Sequence, residues 1–219
     1  MDQNITGFIL SYLFVFIIIG IATLLVKKEL LGAETTRKIV HIGVSNWWLI
    51  AMAYFDNPWY PSIGALSFII INYISYRFRV FRAMEAENQR DNLGTVYFPV
   101  SLLVLSIACF GGYAPLHVGA VGILVMGYGD GMASIVGANA GRHYFTILGN
   151  RKSLEGSAAM FFVSVIIIWL ISITMYPSAG ILVILLVSLA ATVTEAFTPF
   201  GLDNLTVPLA SSLVYYFML

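Results

Sequence analysis

The chain has 219 residues, of which 59% are hydrophobic and 10% charged, and its mean hydropathy is +0.89. These values exclude an ordinary soluble domain and a disordered chain, and they fit a polytopic membrane protein. Eleven Lys and Arg balance eleven Asp and Glu, so bulk charge names no partner and no nucleic acid is expected.

The first apolar run, 5–26, has about the ~20 residues that a spanning helix needs. It lacks the basic start and small-residue cleavage site of a secretory signal, so it reads as span one. Lys27, Lys28, Arg37 and Lys38 precede span two (39–55), and the turn at Asp56 leads to span three (62–76). The most polar segment, 77–92, reads as an interfacial helix or loop. Spans four (94–110), five (118–137), six (157–175), seven (181–197) and eight (205–219) follow, the last short enough to be re-entrant instead. Cys109 lies inside span four, has no second cysteine to pair with, and is expected to pack.

All eleven Lys and Arg fall within 27–38, 77–90 and 142–152, the one-two, three-four and five-six connections. The positive-inside rule makes that side cytoplasmic and places both termini outside. The expected fold is all-α: a polytopic membrane helix bundle of about eight transmembrane helices, one domain over residues 1–219, with its active site at the cytoplasmic face of a bacterial or archaeal cell membrane. An echo joins Glu85, Asp91-Asn92-Leu93 and Pro99 to Glu195, Asp203-Asn204-Leu205 and Pro208. Parallel duplication and chance likeness among apolar helices both account for it.

The chemistry concentrates between Gly127 and Gly156. Asp130 stands among Gly127, Gly129 and Gly131 in a stretch otherwise fit for lipid. A lone charge near the bilayer centre costs roughly 2.5–3.5 kcal/mol, so it is paired, wet or functional. The glycines let a backbone, a metal or a phosphate approach. Arg142, Arg151, Lys152 and Ser153 follow, then Glu155 and Gly156. The run 149–153 departs from a phosphate loop, which requires glycine where Thr146 and Arg151 stand. Those cations before a helix start still suit an anion, while Ser153 also suits an ordinary N-cap. Arg37 and His41, four residues apart, share a helix face. The Arg37 fork and its neighbour Lys38 suit phosphate, whereas Lys27 and Lys28 read as anchors. Asp130, Glu155, Glu195 and Asp203 are hard oxygen ligands of the kind that takes magnesium on a nucleotide; the plainer reading pairs them with Arg142 or Lys152. With His117 on the far side and no Cys/His cluster, zinc is not expected.

Five motifs in order carry a family resemblance: Arg37-Lys38-Ile39-Val40-His41; Gly94-Thr95-Val96-Tyr97-Phe98-Pro99; Gly129-Asp130 with Ala133, Gly137 and Gly141-Arg142; Lys152-Ser153-Leu154-Glu155-Gly156-Ser157; and Glu195 with Asp203-Asn204-Leu205-Thr206-Val207-Pro208. Over 36–208 the chain resembles the dolichol kinase, phytol kinase and CTP-dependent diacylglycerol kinase family. The resemblance implies a membrane-embedded kinase that moves the terminal phosphate of CTP, or another nucleoside triphosphate, onto a lipid alcohol drawn from the bilayer, such as phytol, farnesol, a polyprenol or diacylglycerol. On that reading Arg37, Lys38, Arg142, Arg151 and Lys152 hold the triphosphate, with Gly129, Gly131, Ser153, Glu155 and Gly156 beside it. Asp130, Glu195, Asp203 and Asn204 hold Mg2+, and Asp130, Asp203 or His41 accepts the alcohol proton. A homodimer is compatible with the sequence. Nucleotidyl transfer to a lipid phosphate, as in phosphatidate cytidylyltransferases, would use the same groups and differ in its product. A transporter would need function from both sides, and the outer connections carry only Asp56 and His117.

Overall fold

The computed structural model describes residues 2–78, 93–176 and 179–219. Most of the polar segment expected over 77–92 lies outside them, and so does the first half of the echo up to Asn92. Ten α-helices and one hairpin make up the described residues: α1 (Gln3–Lys27), α2 (Ala33–Ser45), α3 (Trp47–Tyr54), α4 (Trp59–Phe78), α5 (Gly94–Phe110), α6 (Leu116–Leu124), α7 (Gly131–Ala140), β1 (Tyr144–Ile147), β2 (Asn150–Ser153), α8 (Leu154–Met175), α9 (Ile181–Phe197) and α10 (Asp203–Met218). A π-helical turn, Val125–Asp130, joins α6 to α7 in one rod. The described residues are therefore all-α apart from the hairpin, which the apolar runs do not signal.

Apolar runs make the helices, and local polar groups set their ends. The Asp2 carboxylate caps α1 by accepting the Asn4 N–H at 2.7 Å. The Asn4 side chain in turn donates to Asp56 at 2.7 Å, which pins the start of α1 to the turn before α4. What reads in sequence as one second span is two helices, because the Asn46 amide donates to the carbonyls of Ile42 and Gly43 at 2.9 and 3.2 Å and interrupts the ladder. α10 runs unbroken past Pro208.

The α6–α7 rod is the core, with Ala120, Val121, Ile123, Val125 and Met126 wholly buried. α2, α8 and α10 pack around it. On α1 and α8 the outward positions are apolar: Ile9, Leu13 and Ile17, and Phe162, Ile166 and Ile173, are half-exposed. Such a surface would be an aggregation liability in water and is ordinary in lipid. Among the described residues Gln3–Lys27, Leu116–Ala140 and Leu154–Met175 are long and apolar enough to cross a membrane, and Gly94–Phe110 and Ile181–Phe197 are shorter apolar helices. Cys109 is buried in the core, as expected.

Close approach of α3 to the rod depends on Gly119, where a Cβ would collide with the Trp48 ring. Trp48 is wholly buried and its indole N–H donates to the Leu116 carbonyl at 3.1 Å, so the ring cannot swing away cheaply. Gly119→Val is expected to cost about 1–3 kcal/mol by overpacking. Thermal unfolding in detergent checks this, with Gly20→Ala as control, since a Cβ at Gly20 meets nothing within 4 Å.

Candidate active site

The glycines around Asp130 bring two other helices close. A Cβ on Gly127 would collide with Ser45, one on Gly129 would lie 2.5 Å from the Met160 sulfur, and one on Gly131 would lie 2.5 Å from Ile42. α2 and α8 therefore seat directly on the rod. Gly129 and Gly131, expected beside the nucleotide, are packing positions that set this approach. Its result is an ion pair across 92 positions of sequence, the Lys38 ammonium donating to the Asp130 carboxylate at 2.6 Å. Both side chains are nearly buried, at 12% and 5% exposure.

A second pair closes from the other side. β1 and β2 pair antiparallel, Thr146 opposite Arg151 and Phe145 opposite Lys152. Their two-residue loop has φ of 51° at Leu148 and 84° at Gly149, both positive as a type I′ turn requires. From β2 the Lys152 ammonium reaches Glu195 on α9 and lies 3.8 Å from Asp203 at the start of α10. Burial alone would lower the pKa of Lys152, but Glu195, Asp203 and Asp130 outweigh it and hold the group above its ordinary 10.5. A raised lysine contributes stability below its ordinary pKa and loses it only as pH rises through the higher folded value, so the cation persists at neutral pH.

Asp130, Glu195 and Asp203 each offer a carboxylate oxygen within 4.8 Å of the others. Asn204 steadies Asp203: its backbone N–H and side-chain amide both donate to that carboxylate, at 3.0 and 3.1 Å. Pro208, one turn on, has no N–H for the Asn204 carbonyl, its usual acceptor in the helix. The second oxygen of Glu195 is buried without a hydrogen-bond partner among the described residues. An orphaned buried oxygen beside two further carboxylates fits a hard divalent cation. The Lys38 and Lys152 ammoniums stand directly against these acids, Lys38 on Asp130 and Lys152 on Glu195.

These acids line a cleft of about 1170 Å³ including its open mouth, together with Arg37, Lys38, Arg151, Lys152, Ser153 and Gly156. The Arg151 guanidinium lies 3.9 Å over the Tyr144 ring, which holds it at the mouth. Ser153 is the N-cap of α8 and accepts the Gly156 N–H at 3.1 Å. Besides Gly129 and Gly131, two more expected residues are not brought to the cleft. Arg142 stands outside its lining. Glu155 pairs with the His143 ring at 2.7 Å and accepts the His143 backbone N–H, anchoring the hairpin to α8. His41 faces a smaller cavity next to the cleft, with Lys38, Asp130, Thr95 and Asn204. Its ring meets Phe98 edge-on at 4.6 Å, and its Nε2 is buried with no partner among the described residues. Sequence reasoning missed Tyr144 and Asn72. Only strand alternation in 144–153 could have signalled Tyr144, and nothing in sequence marks Asn72.

What fold and site define is an apolar helical bundle with a cleft that gathers cationic side chains beside a carboxylate trio. The chain is 37% identical over 195 residues to the phytol kinase of Synechocystis sp., covering 88% of this chain and 83% of that protein. It is 29% identical over 217 residues to a probable chloroplastic phytol kinase of Triticum aestivum, covering 89% and 70%. With chloroplastic phytol kinase 1 of Arabidopsis thaliana it shares 27% over 218 residues, covering 88% and 69%. No protein-family model and no solved structure matches the chain. The chain belongs to the phytol kinase family, as its motifs implied.

The Lys38–Asp130 pair makes a stability prediction. Asp130→Asn strands a buried ammonium, and losing one partner of a buried pair costs about 3–5 kcal/mol. Removing the cation as well, in Lys38→Met with Asp130→Asn, is expected to recover most of that loss. Denaturation of the two variants and wild type in one detergent measures the difference.

Proposed function

We propose that the protein is a membrane-embedded lipid-alcohol kinase that transfers the terminal phosphate of CTP, or of another nucleoside triphosphate, to a prenol of the phytol type. The observation that carries the reading is the trio Asp130, Glu195 and Asp203, with oxygens within 4.8 Å of one another, directly beneath a mouth lined by Arg37, Arg151 and Lys152. The relatives named as phytol kinases favour a prenol over diacylglycerol.

Phosphoryl transfer asks for positioning and charge neutralisation more than covalent chemistry. The Arg37 and Arg151 forks grip phosphate oxygens in pairs, and the Lys38 and Lys152 ammoniums supply point charge. Asp130, Glu195 and Asp203 would hold Mg2+, which when bound neutralises the triphosphate charge. The alcohol oxygen attacks the terminal phosphorus, the bond to the bridging oxygen breaks, and the nucleoside diphosphate leaves. The hydroxyl proton passes to His41 Nε2, or to the Asp130 or Asp203 carboxylate. A cationic mouth of this kind belongs where nucleotides are, so the bundle is read as eight spans, with α2–α3 as one and α6–α7 as another, the hairpin in the cytosol and both termini outside.

Glu195→Gln keeps the shape of the side chain and removes its charge, and turnover is expected to fall on the order of 10²-fold or more. Transfer of labelled terminal phosphate from CTP and ATP to phytol, farnesol and diacylglycerol by purified protein measures it, with and without a chelator. Pyrophosphate in place of a lipid phosphate would overturn the kinase reading in favour of nucleotidyl transfer. The topology has its own check at Leu148, which is 67% exposed at the hairpin tip. Leu148→Cys in a Cys109→Ala background is expected to react with an impermeant maleimide in inside-out vesicles and not in intact cells.

A further inference from the structure

An apolar groove runs into the bundle from the cavity that holds His41. It is lined by Val15 and Ile19 of α1, Trp47 of α3, Gly64, Ala65 and Phe68 of α4, and Leu102 of α5, with about 470 Å³ of space including its open mouth. Val44, Asn72 and Phe98 line both the groove and the His41 cavity, and that cavity shares Arg37, Lys38 and Asp130 with the phosphate cleft. The cleft, the His41 cavity and the groove therefore adjoin one another through shared walls.

Each wall gives the same order of depth. α2 and α5 run inward from the charged end, from Lys38 through His41 to Val44 and on to Trp47 in α3, and from Thr95 through Phe98 to Leu102. α4 and α1 run toward that end, so Asn72 and Ile19 lie near the cleft while Ala65 and Val15 lie deeper. Polar groups thus face the cleft end and only apolar ones face the inner end. At a helical rise of 1.5 Å per residue, Lys38 to Trp47 spans roughly 13 Å. The lining also explains why the groove exists. Pro99 has no N–H to give the Thr95 carbonyl, and the Asn72 amide supplies it at 2.7 Å, which ties α4 to α5 at the neck. Below the neck Gly64 and Ala65 leave the space open; a Cβ on Gly64 would meet nothing within 4 Å. On α1 and α4, which wall the groove, Phe16, Leu66 and Ile70 are about half-exposed, as side chains that meet lipid are.

We propose that this groove between α1, α3, α4 and α5 binds the apolar tail of the acceptor alcohol and delivers its hydroxyl past Asn72 and Phe98 to His41 and Asp130. The inference rests on the lipid-alcohol kinase reading and deepens it: the occupant is a single, slender apolar chain with a polar head, threaded lengthwise. A second copy of the protein would present a wide helix face, which a groove narrowed by Phe68, Phe98 and Trp47 does not accept.

The test uses the full chain in lipid nanodiscs. A twenty-carbon prenol carrying a diazirine along its tail is photolysed with wild-type protein and labelled peptides are mapped by mass spectrometry. Labels are expected on 64–72 and 98–102; labels confined to the outer faces of α8 and α9 would overturn the groove. Gly64→Leu, which fills the open space, is expected to keep the wild-type unfolding temperature and a KM for nucleotide within about twofold, and to raise KM for the twenty-carbon prenol about tenfold or more. A five-carbon prenol should be affected about twofold or less. Unchanged KM for the long prenol in a folded variant would also overturn the proposal. Because crosslinking needs no turnover, groove labels on a protein that phosphorylates no alcohol would sink the kinase reading and keep the groove, and efficient transfer with labels elsewhere would do the reverse.

Discussion

The structure depends on compensating charge at one end of an apolar bundle. Asp130, Glu195 and Asp203 are carried by the central rod, α9 and α10, and the ammoniums that balance them come from α2 and the hairpin. In a medium that solvates no ion, each of those elements must arrive at one place or leave a charge unpaired. The glycines of the rod, the hairpin turn and the Glu155 anchor all serve that convergence. One oxygen of Glu195 is left without a hydrogen-bond partner among the described residues. Clustered acids and clustered cations lining one cleft make a site that a cation and a polyanion can enter together.

Much of the helical plan was legible because apolar runs of membrane length have few other uses. α5 and α9 begin and end where the hydropathy pattern puts them. The break at Asn46 was not legible, since one asparagine in an apolar run gives no sign of turning back onto its own helix. The hairpin was missed because Leu148-Gly149 lacks the Asn-Gly signature of its turn type. The site was legible as a set of residue types and not as a set of partners. The plainer reading offered Arg142 or Lys152 as partners for the acids, while the structure gives Asp130 Lys38, brought near by helix contacts that no local pattern encodes. Glu155 and Arg142 shared a motif with the cleft residues without sharing the cleft, which is the limit of arguing from motif membership.

The echo between the two halves of the chain gains a physical content from Pro99 and Pro208. Each sits in the second turn of its helix, and each frees the carbonyl four residues back, that of Thr95 in α5 and that of Asn204 in α10. α5 and α10 pack against each other. The two freed carbonyls are put to different use: one is taken up by Asn72 at the neck of the apolar groove, and the other stands at the carboxylate floor. The same local device thus occurs once on the lipid side and once on the phosphate side of the cavity that joins them.

The π turn at Val125–Asp130 winds one extra residue into the rod. One residue of an α-helix is about 100° of rotation, so everything from Gly131 onward faces a different compass point from the one an unbroken helix would give it. Before the turn the rod's small residues meet Trp48 and Ser212; after it they meet Ile42 and the start of α8. The rod behaves as a phase shifter between two packing environments. A chain one residue shorter here would keep its hydropathy and every motif, with the carboxylate or the packing face turned away from its partner. Spacing across 125–130 therefore carries information that residue identity alone does not.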